Sequence, residues 1–451
     1  MKDKQTRTYL IALAISALIG VPVAFASTGF TTLVHDATTW LWTDIPHDLG
    51  YGEPPWWYVI LLPAIGGLLT FGALQLPGKG GHSPADGLSF QPAGPKLAAG
   101  AVLAAFFALV FGIVLGPEGP LTAIGLALGV YAARLAREDE VMGAIVALAG
   151  GFAAISTVFG GPLASSLLLF EAVATSGKFP SGMLQRILLP GLLAAGIGDL
   201  IFTGIADWSG VHITKLAIPG LPDYGTVKVY EIGLTLVVGV VVAVLVLAAR
   251  RLGSESFHRV GGRLPVLLAG GMLVGAVAAL FHALSDAPYS LVLYSGESAM
   301  GDLLRETSAA ILVGVLVAKA AAYAISIGAG FRGGPVFPAV FIGVGVGVLG
   351  HVVVPDYSVT AAVAAGVAAA GAAALRAPFF GALLAALLVG SGGTHTWPLA
   401  IIAAVVAWLI ALAAAGRTDA PPEVPQDAPA EVQEAPPEVP QDAPADPGVP
   451  R

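Results

Sequence analysis

The chain has 451 residues, 56% of them hydrophobic and 11% charged, against about 25% charged in soluble domains. Apolar runs of about 18 residues recur along it without barrel-type alternation, which excludes both an ordinary soluble domain and a membrane β-barrel. No cysteine occurs, which removes disulfides, thiolate metal sites and cysteine nucleophiles, and six of the eight net negative charges lie in residues 417–451.

The expected fold is therefore an all-α polytopic membrane protein, read here in chain order. Residues 1–8, with Lys2, Lys4 and Arg7, suit a cytoplasmic N-terminal segment under the positive-inside rule. The first apolar run, Tyr9 to Val34, continues past Ala24-Phe25-Ala26 and reads as a membrane helix rather than a cleaved leader. The next loop holds Asp36, Asp44, Asp48 and Glu53 without a lysine or arginine, so it is expected outside. Trp40, Trp42, Trp56 and Trp57 are predicted to form an interfacial aromatic belt. Further runs complete a first membrane half over residues 9–203, and a polar linker follows over 204–226.

The second membrane half, 227–416, opens with the run Val229 to Ala249. Arg250, Arg251, Arg259 and Arg263 then suggest a cytoplasmic loop. Later runs near 359–375 and 378–390 are too short to cross about 30 Å of hydrocarbon upright, which predicts tilted and partial helices. Residues 417–451 repeat Ala-Pro-Pro-Glu-Val-Pro-Gln-Asp-Ala-Pro-Ala from Ala420 and again from Ala435. Such Pro- and acid-rich sequence is expected to be a disordered tail.

Chemistry concentrates at Gly116-Pro117-Glu118-Gly119-Pro120, where one carboxylate sits between two apolar runs. An ionisable group at membrane depth marks a functional site by default. Helix-breaking residues are tolerated there only inside protein or beside a watery cavity. Lys79, Lys319 and Arg332 are the cations that could pair with Glu118 structurally. A counterpart lies at Gly334-Pro335-Val336-Phe337-Pro338. Each motif is followed by a second apolar segment opening on proline, at Pro162 and Pro378, 42 and 40 residues after Pro120 and Pro338. Two related halves are the signature of a repeat-built transporter. A Gly/Pro break opening a helix exposes unpaired N–H groups at the positive end of the dipole, which makes an anion site that needs no full positive charge.

On these residues the sequence resembles the CLC family of chloride channels and proton/chloride antiporters. Gly116–Pro120 is similar to its G-[K/R]-E-G-P motif with Pro117 at the basic position, and Gly334–Pro338 to its G-x-F-x-P motif with Val336 at the phenylalanine. Gly80-Gly81-His82-Ser83-Pro84 falls where G-S-G-I-P is expected, and Arg376-Ala377-Pro378 matches R-A-P. The resemblance implies a homodimer, each subunit with its own pore built from two inverted structural repeats, and a short polytopic chain with a simple tail suits a prokaryotic plasma membrane. It makes Glu118 the gating glutamate and puts anion binding on Gly81, Ser83, Gly116, Gly119, Gly334, Val336 and Phe337. Chloride or a similar small anion, and possible coupled protons, are the expected ligands, with no cofactor, metal or nucleic acid.

Departures from the family pattern shape the alternatives. The chloride-coordinating serine position falls on Gly81, and no tyrosine follows Tyr357 to serve as the inner tyrosine. Glu171 matches the first residue of the antiporters' Glu-Glu pair, while Ala172 replaces the internal proton glutamate. Glu171 is thus either a proton-path residue or a solvated residue at a helix end. Fluoride or nitrate is the alternative substrate. An intramembrane enzyme using Glu118 as acid or base is the remote one, with no serine–histidine pairing to support it.

Overall fold

The computed structural model describes residues 2–78, 80–136, 140–175, 184–209 and 216–416. Lys79, Arg137, Glu138, Asp139 and the tail 417–451 lie outside them. In chain order the helices are α1 (Lys2–Thr39), α2 (Ile45–Asp48), α3 (Trp56–Leu74), α4 (Pro95–Val110), α5 (Glu118–Leu135), α6 (Glu140–Phe159), α7 (Pro162–Thr175) and α8 (Leu189–Ser209). After the linker come α9 (Val229–Val260), α10 (Leu264–Ser285), α11 (Met300–Leu303), α12 (Ala309–Ala329), α13 (Val336–Val353), α14 (Val359–Leu375), α15 (Pro378–Val389) and α16 (Trp397–Ala415). Among the described residues nine helices are long and apolar enough to cross a membrane, and α4, α7, α14 and α15 are shorter apolar helices. The chain is an integral membrane protein.

Proline sets several of these starts. Pro95, Pro162 and Pro378 each stand at a first helical position, where the missing N–H costs no hydrogen bond. Pro120 and Pro338 sit in the first turns of α5 and α13, so both helices begin at the Gly/Pro breaks. The run α5–α6–α7 recurs as α13–α14–α15, and the two runs pack alike. A Cβ on Gly125 would collide with the Gly150 carbonyl of α6, and one on Gly343 with the Gly366 carbonyl of α14. Small residues at these points let the helix backbones touch. Gly343→Val is accordingly expected to cost at least about 1–3 kcal/mol by overpacking. A lowered melting temperature of the detergent-solubilised protein checks it.

Three expectations change in the structure. Of the four arginines after Ala249 only Arg263 lies in the connection to α10, because α9 runs on to Val260 and carries Arg250, Arg251 and Arg259 on helix. The linker starts later than residue 204, since α8 continues to Ser209. The aromatic belt loses Trp42: Trp40, Trp56 and Trp57 are exposed, but Trp42 is buried. Its Nε1 donates to the Val110 carbonyl at 2.9 Å, and its ring meets Tyr58 and Tyr294 edge-on. The chain widens into a π-turn at Trp40–Asp44, and Trp42 is the buried residue of that turn.

The linker is held by a buried carboxylate. Glu231, in the first turn of α9, is fully buried and accepts from the Tyr224 hydroxyl, the Lys228 amide at 2.9 Å and the Ser358 amide at 3.3 Å. Burial and this bond push the Tyr224 hydroxyl above its ordinary range. Thr360 Oγ1 donates to the Pro222 carbonyl, tying α14 to the linker.

Candidate functional site

The two Gly/Pro breaks, more than 200 residues apart in sequence, meet in the core. Gly116 and Gly334 form an antiparallel bridge, with N–H to O distances of 2.8 Å and 2.6 Å in the two directions. The two segments therefore run opposite ways, as inverted halves require. Both are braced from α12. The Tyr323 hydroxyl donates to the Pro335 carbonyl at 2.8 Å, and Ser326 Oγ accepts from the Val114 amide at 3.2 Å.

Glu118 lies across this bridge and is completely buried. Its Oε1 accepts from the Val336 amide, the first of α13, and the Phe337 amide also faces the carboxyl group. Its Oε2 is buried without a hydrogen-bond partner. The carboxylate thus occupies the place at a helix N-terminus that a free anion would take. A Cβ on Gly334 would overlap the Glu118 carboxyl carbon, and one on Gly116 would overlap Oε2. Only glycine fits at either position while the carboxylate is seated.

The possible cationic partners go elsewhere. Lys319 is fully buried and donates to the carbonyls of Leu293 and Tyr294 at 2.9 and 3.0 Å, with Nζ 4.5 Å above the Phe341 ring. Arg332 donates to the carbonyls of Gly80 and Gly330. Lys79 is outside the described residues. The charge on Glu118 is met by backbone amides.

Of the residues expected at the site, Gly116, Gly119, Gly334, Val336 and Phe337 gather around Glu118; a Cβ on Gly119 would stand 2.8 Å from the Gly333 carbonyl. Gly81 lies apart, on the wall of a cavity of about 360 Å³ that Gly119, Pro120, Arg332 and Gly333 also line. Ser83 is not on that wall: it is buried, and its Oγ accepts from the Ala85 amide at 3.3 Å as the cap of a short turn.

Glu171 is 5% exposed, so the reading as a solvated residue gives way. Its two oxygens accept from the Phe379 and Phe380 amides, both at 2.8 Å, at the start of α15. This matches the seat of Glu118 on α13: the first half of the molecule places two carboxylates on the N-termini of two helices of the second half. Between them stands an aromatic cluster, with Phe159 stacked on Phe337 at 5.6 Å and edge-on to Phe380 at 5.0 Å. Losing the Glu171 cap should cost about 0.5–2 kcal/mol. A lower melting temperature for Glu171→Ala, largely restored in Glu171→Gln, checks that.

Sequence reasoning missed Tyr323, Ser326 and Phe159, whose roles depend on contacts between distant helices. It weighed Arg332 only as a partner for Glu118, although the adjoining Gly333-Gly334 pair signalled a residue next to the break.

Residues 88–412 match the family model described as "Voltage gated chloride channel". A protein named "Putative ion-transport protein YfeO" from Salmonella choleraesuis is 27% identical over 423 residues, covering 91% of this chain and 97% of its own. Among solved structures, a slow cyanobacterial Cl-/H+ antiporter superposes with a TM-score of 0.73 at 20% identity, over 90% of this chain and 95% of that one. A CLC-type fluoride/proton antiporter does so with 0.66 at 20% identity, over 89% and 95%.

Proposed function

Because this chain belongs to the voltage gated chloride channel family and carries out anion transport of the CLC type, we propose that it moves chloride through a pore gated by Glu118. The observation that carries this reading is the seat of the Glu118 carboxylate on the Val336 amide across the Gly116–Gly334 bridge. While ionised, the carboxylate competes with the substrate for the same dipole and amides. Protonation removes the charge that holds it there and opens the site. Flux therefore rises as pH falls and is lost as pH rises.

Chloride efflux from proteoliposomes, with pH recorded at the same time, tests the reading. Efflux faster than from protein-free vesicles and growing on acidification is expected; efflux equal to the protein-free rate sinks it. Stoichiometric proton uptake identifies an exchanger, and its absence a channel. For proton coupling, Glu171 is the proposed path residue, although the rings of Phe159, Phe337 and Phe380 stand between it and Glu118. In Glu171→Gln, coupling through this residue predicts chloride flux without proton flux.

A second substrate has one observation in its favour. Gly81 presents no hydroxyl to the cavity, so fluoride is the alternative, and a series of competing halides decides between them. The functional unit proposed is a homodimer in a prokaryotic plasma membrane. Glu118 is assigned a gating rather than an enzymatic role.

A further inference from the structure

The amide site beneath Glu118 has only partial positive charge, but the cavity beside it carries a full one. Arg332 is buried on the cavity wall together with Gly81, Gly119 and Gly333. Its Nε donates to the Gly80 carbonyl at 2.9 Å and its Nη1 to the Gly330 carbonyl at 3.0 Å, and its Cζ lies 5.8 Å from the centre of the Phe257 ring. These contacts hold the guanidinium in place, yet Nη2 has no hydrogen-bond acceptor and the group has no ion pair among the described residues. The acid whose charge reaches it, Asp86, is itself 3.6 Å from His258 Nε2. A buried guanidinium with an unused donor, on the wall of a cavity, is a ready ligand for an anion.

Two further arginines approach the same opening. Arg250 of α9 brings Nη2 to 3.8 Å from where a Cβ on Gly87 would stand, and Gly87 lines the cavity. Arg134 of α5 brings Nη2 to 3.3 Å from the same point on Gly94, next to the lining residue Ala93. Charge of one sign around a low-dielectric cleft concentrates the oppositely charged ion. Gly81 has no room to contribute a side chain, since it has φ +67° and a Cβ there would lie 2.6 Å from that of Ala101.

We propose that Arg332 is an anion ligand: a small monovalent anion binds in the cavity against its Nη2, one step removed from the amide site that Glu118 blocks. This deepens the pore reading above and rests on it. Arg332 then does with a charged donor what an uncharged hydroxyl at Gly81 would have done, and the Arg134–Arg250 rim supplies the anion from the arginine-rich side of the membrane.

Bromide is the probe. Crystals of the wild-type protein grown in bromide are expected to show anomalous density within hydrogen-bond reach of Arg332 Nη2. Chloride titrated calorimetrically into the detergent-solubilised protein should bind about tenfold or more weakly in Arg332→Gln, since a hydrogen bond from a charged donor is lost. Arg332→Lys should recover much of that binding. Bromide confined to the Gly116 and Gly334 amides with the cavity empty overturns the proposal, as does wild-type chloride affinity in Arg332→Gln. The wild-type map decides the matter if Arg332→Gln does not fold. Wild-type vesicles that move no anion would instead remove the transport reading, leaving a cavity bromide site in place.

Discussion

Replacing Glu118 with Gln is expected to give anion flux that no longer falls as pH rises. The side chain keeps its size, so the buried seat between Gly116 and Gly334 is not emptied. What changes is the hold on the Val336 amide: a hydrogen bond to a charged acceptor contributes about 1.5–3 kcal/mol and a neutral one about 0.5–1.5. The difference corresponds to roughly a tenfold loss of competition with the anion, so flux at neutral pH should rise by about that factor. The measurement is the initial rate of chloride efflux across the acid-to-neutral range. A variant that keeps the wild-type pH dependence would show that Glu118 is not the gate.

Gly334→Ala should have a comparably large effect by a steric route. The added methyl would occupy the position of the Glu118 carboxyl carbon, and the Gly116–Gly334 bridge leaves little freedom to yield. The carboxylate must leave its seat, so flux should lose its pH dependence while the fold loses about 1–3 kcal/mol from overpacking. The cost is specific to the pair: in an Glu118→Ala background the methyl has room, and Gly334→Ala should then be nearly neutral. Melting temperatures of the wild type, both single variants and the double variant form the cycle that measures this coupling. Equal destabilisation in both backgrounds would mean that the methyl clashes with something other than the carboxylate.

Much of the architecture was legible in the residues because membrane burial constrains them locally. A helix in lipid must satisfy its own backbone, so apolar runs and prolines mark where helices lie and begin; α5 and α13 start at the two motifs read from sequence. Helix ends facing water are under weaker constraint, and there the reading failed: α9 carries its arginines a further three turns beyond Ala249. Trp42 shows the same weakness, since an indole serves a membrane interface or a buried carbonyl equally well until its neighbours are known.

What the sequence alone determined was the material of the site: one carboxylate in an apolar segment, two matched Gly/Pro breaks, and no cysteine. Only the tertiary structure decided the pairings. It set Glu118 on an amide 218 residues away and Glu171 on one 208 residues away, turned Lys319 to backbone carbonyls, and left Arg332 facing a cavity. The physical reason is that helix formation follows from a residue and its near neighbours, whereas the partner of a buried charge depends on which helix ends the packing brings within about 3 Å.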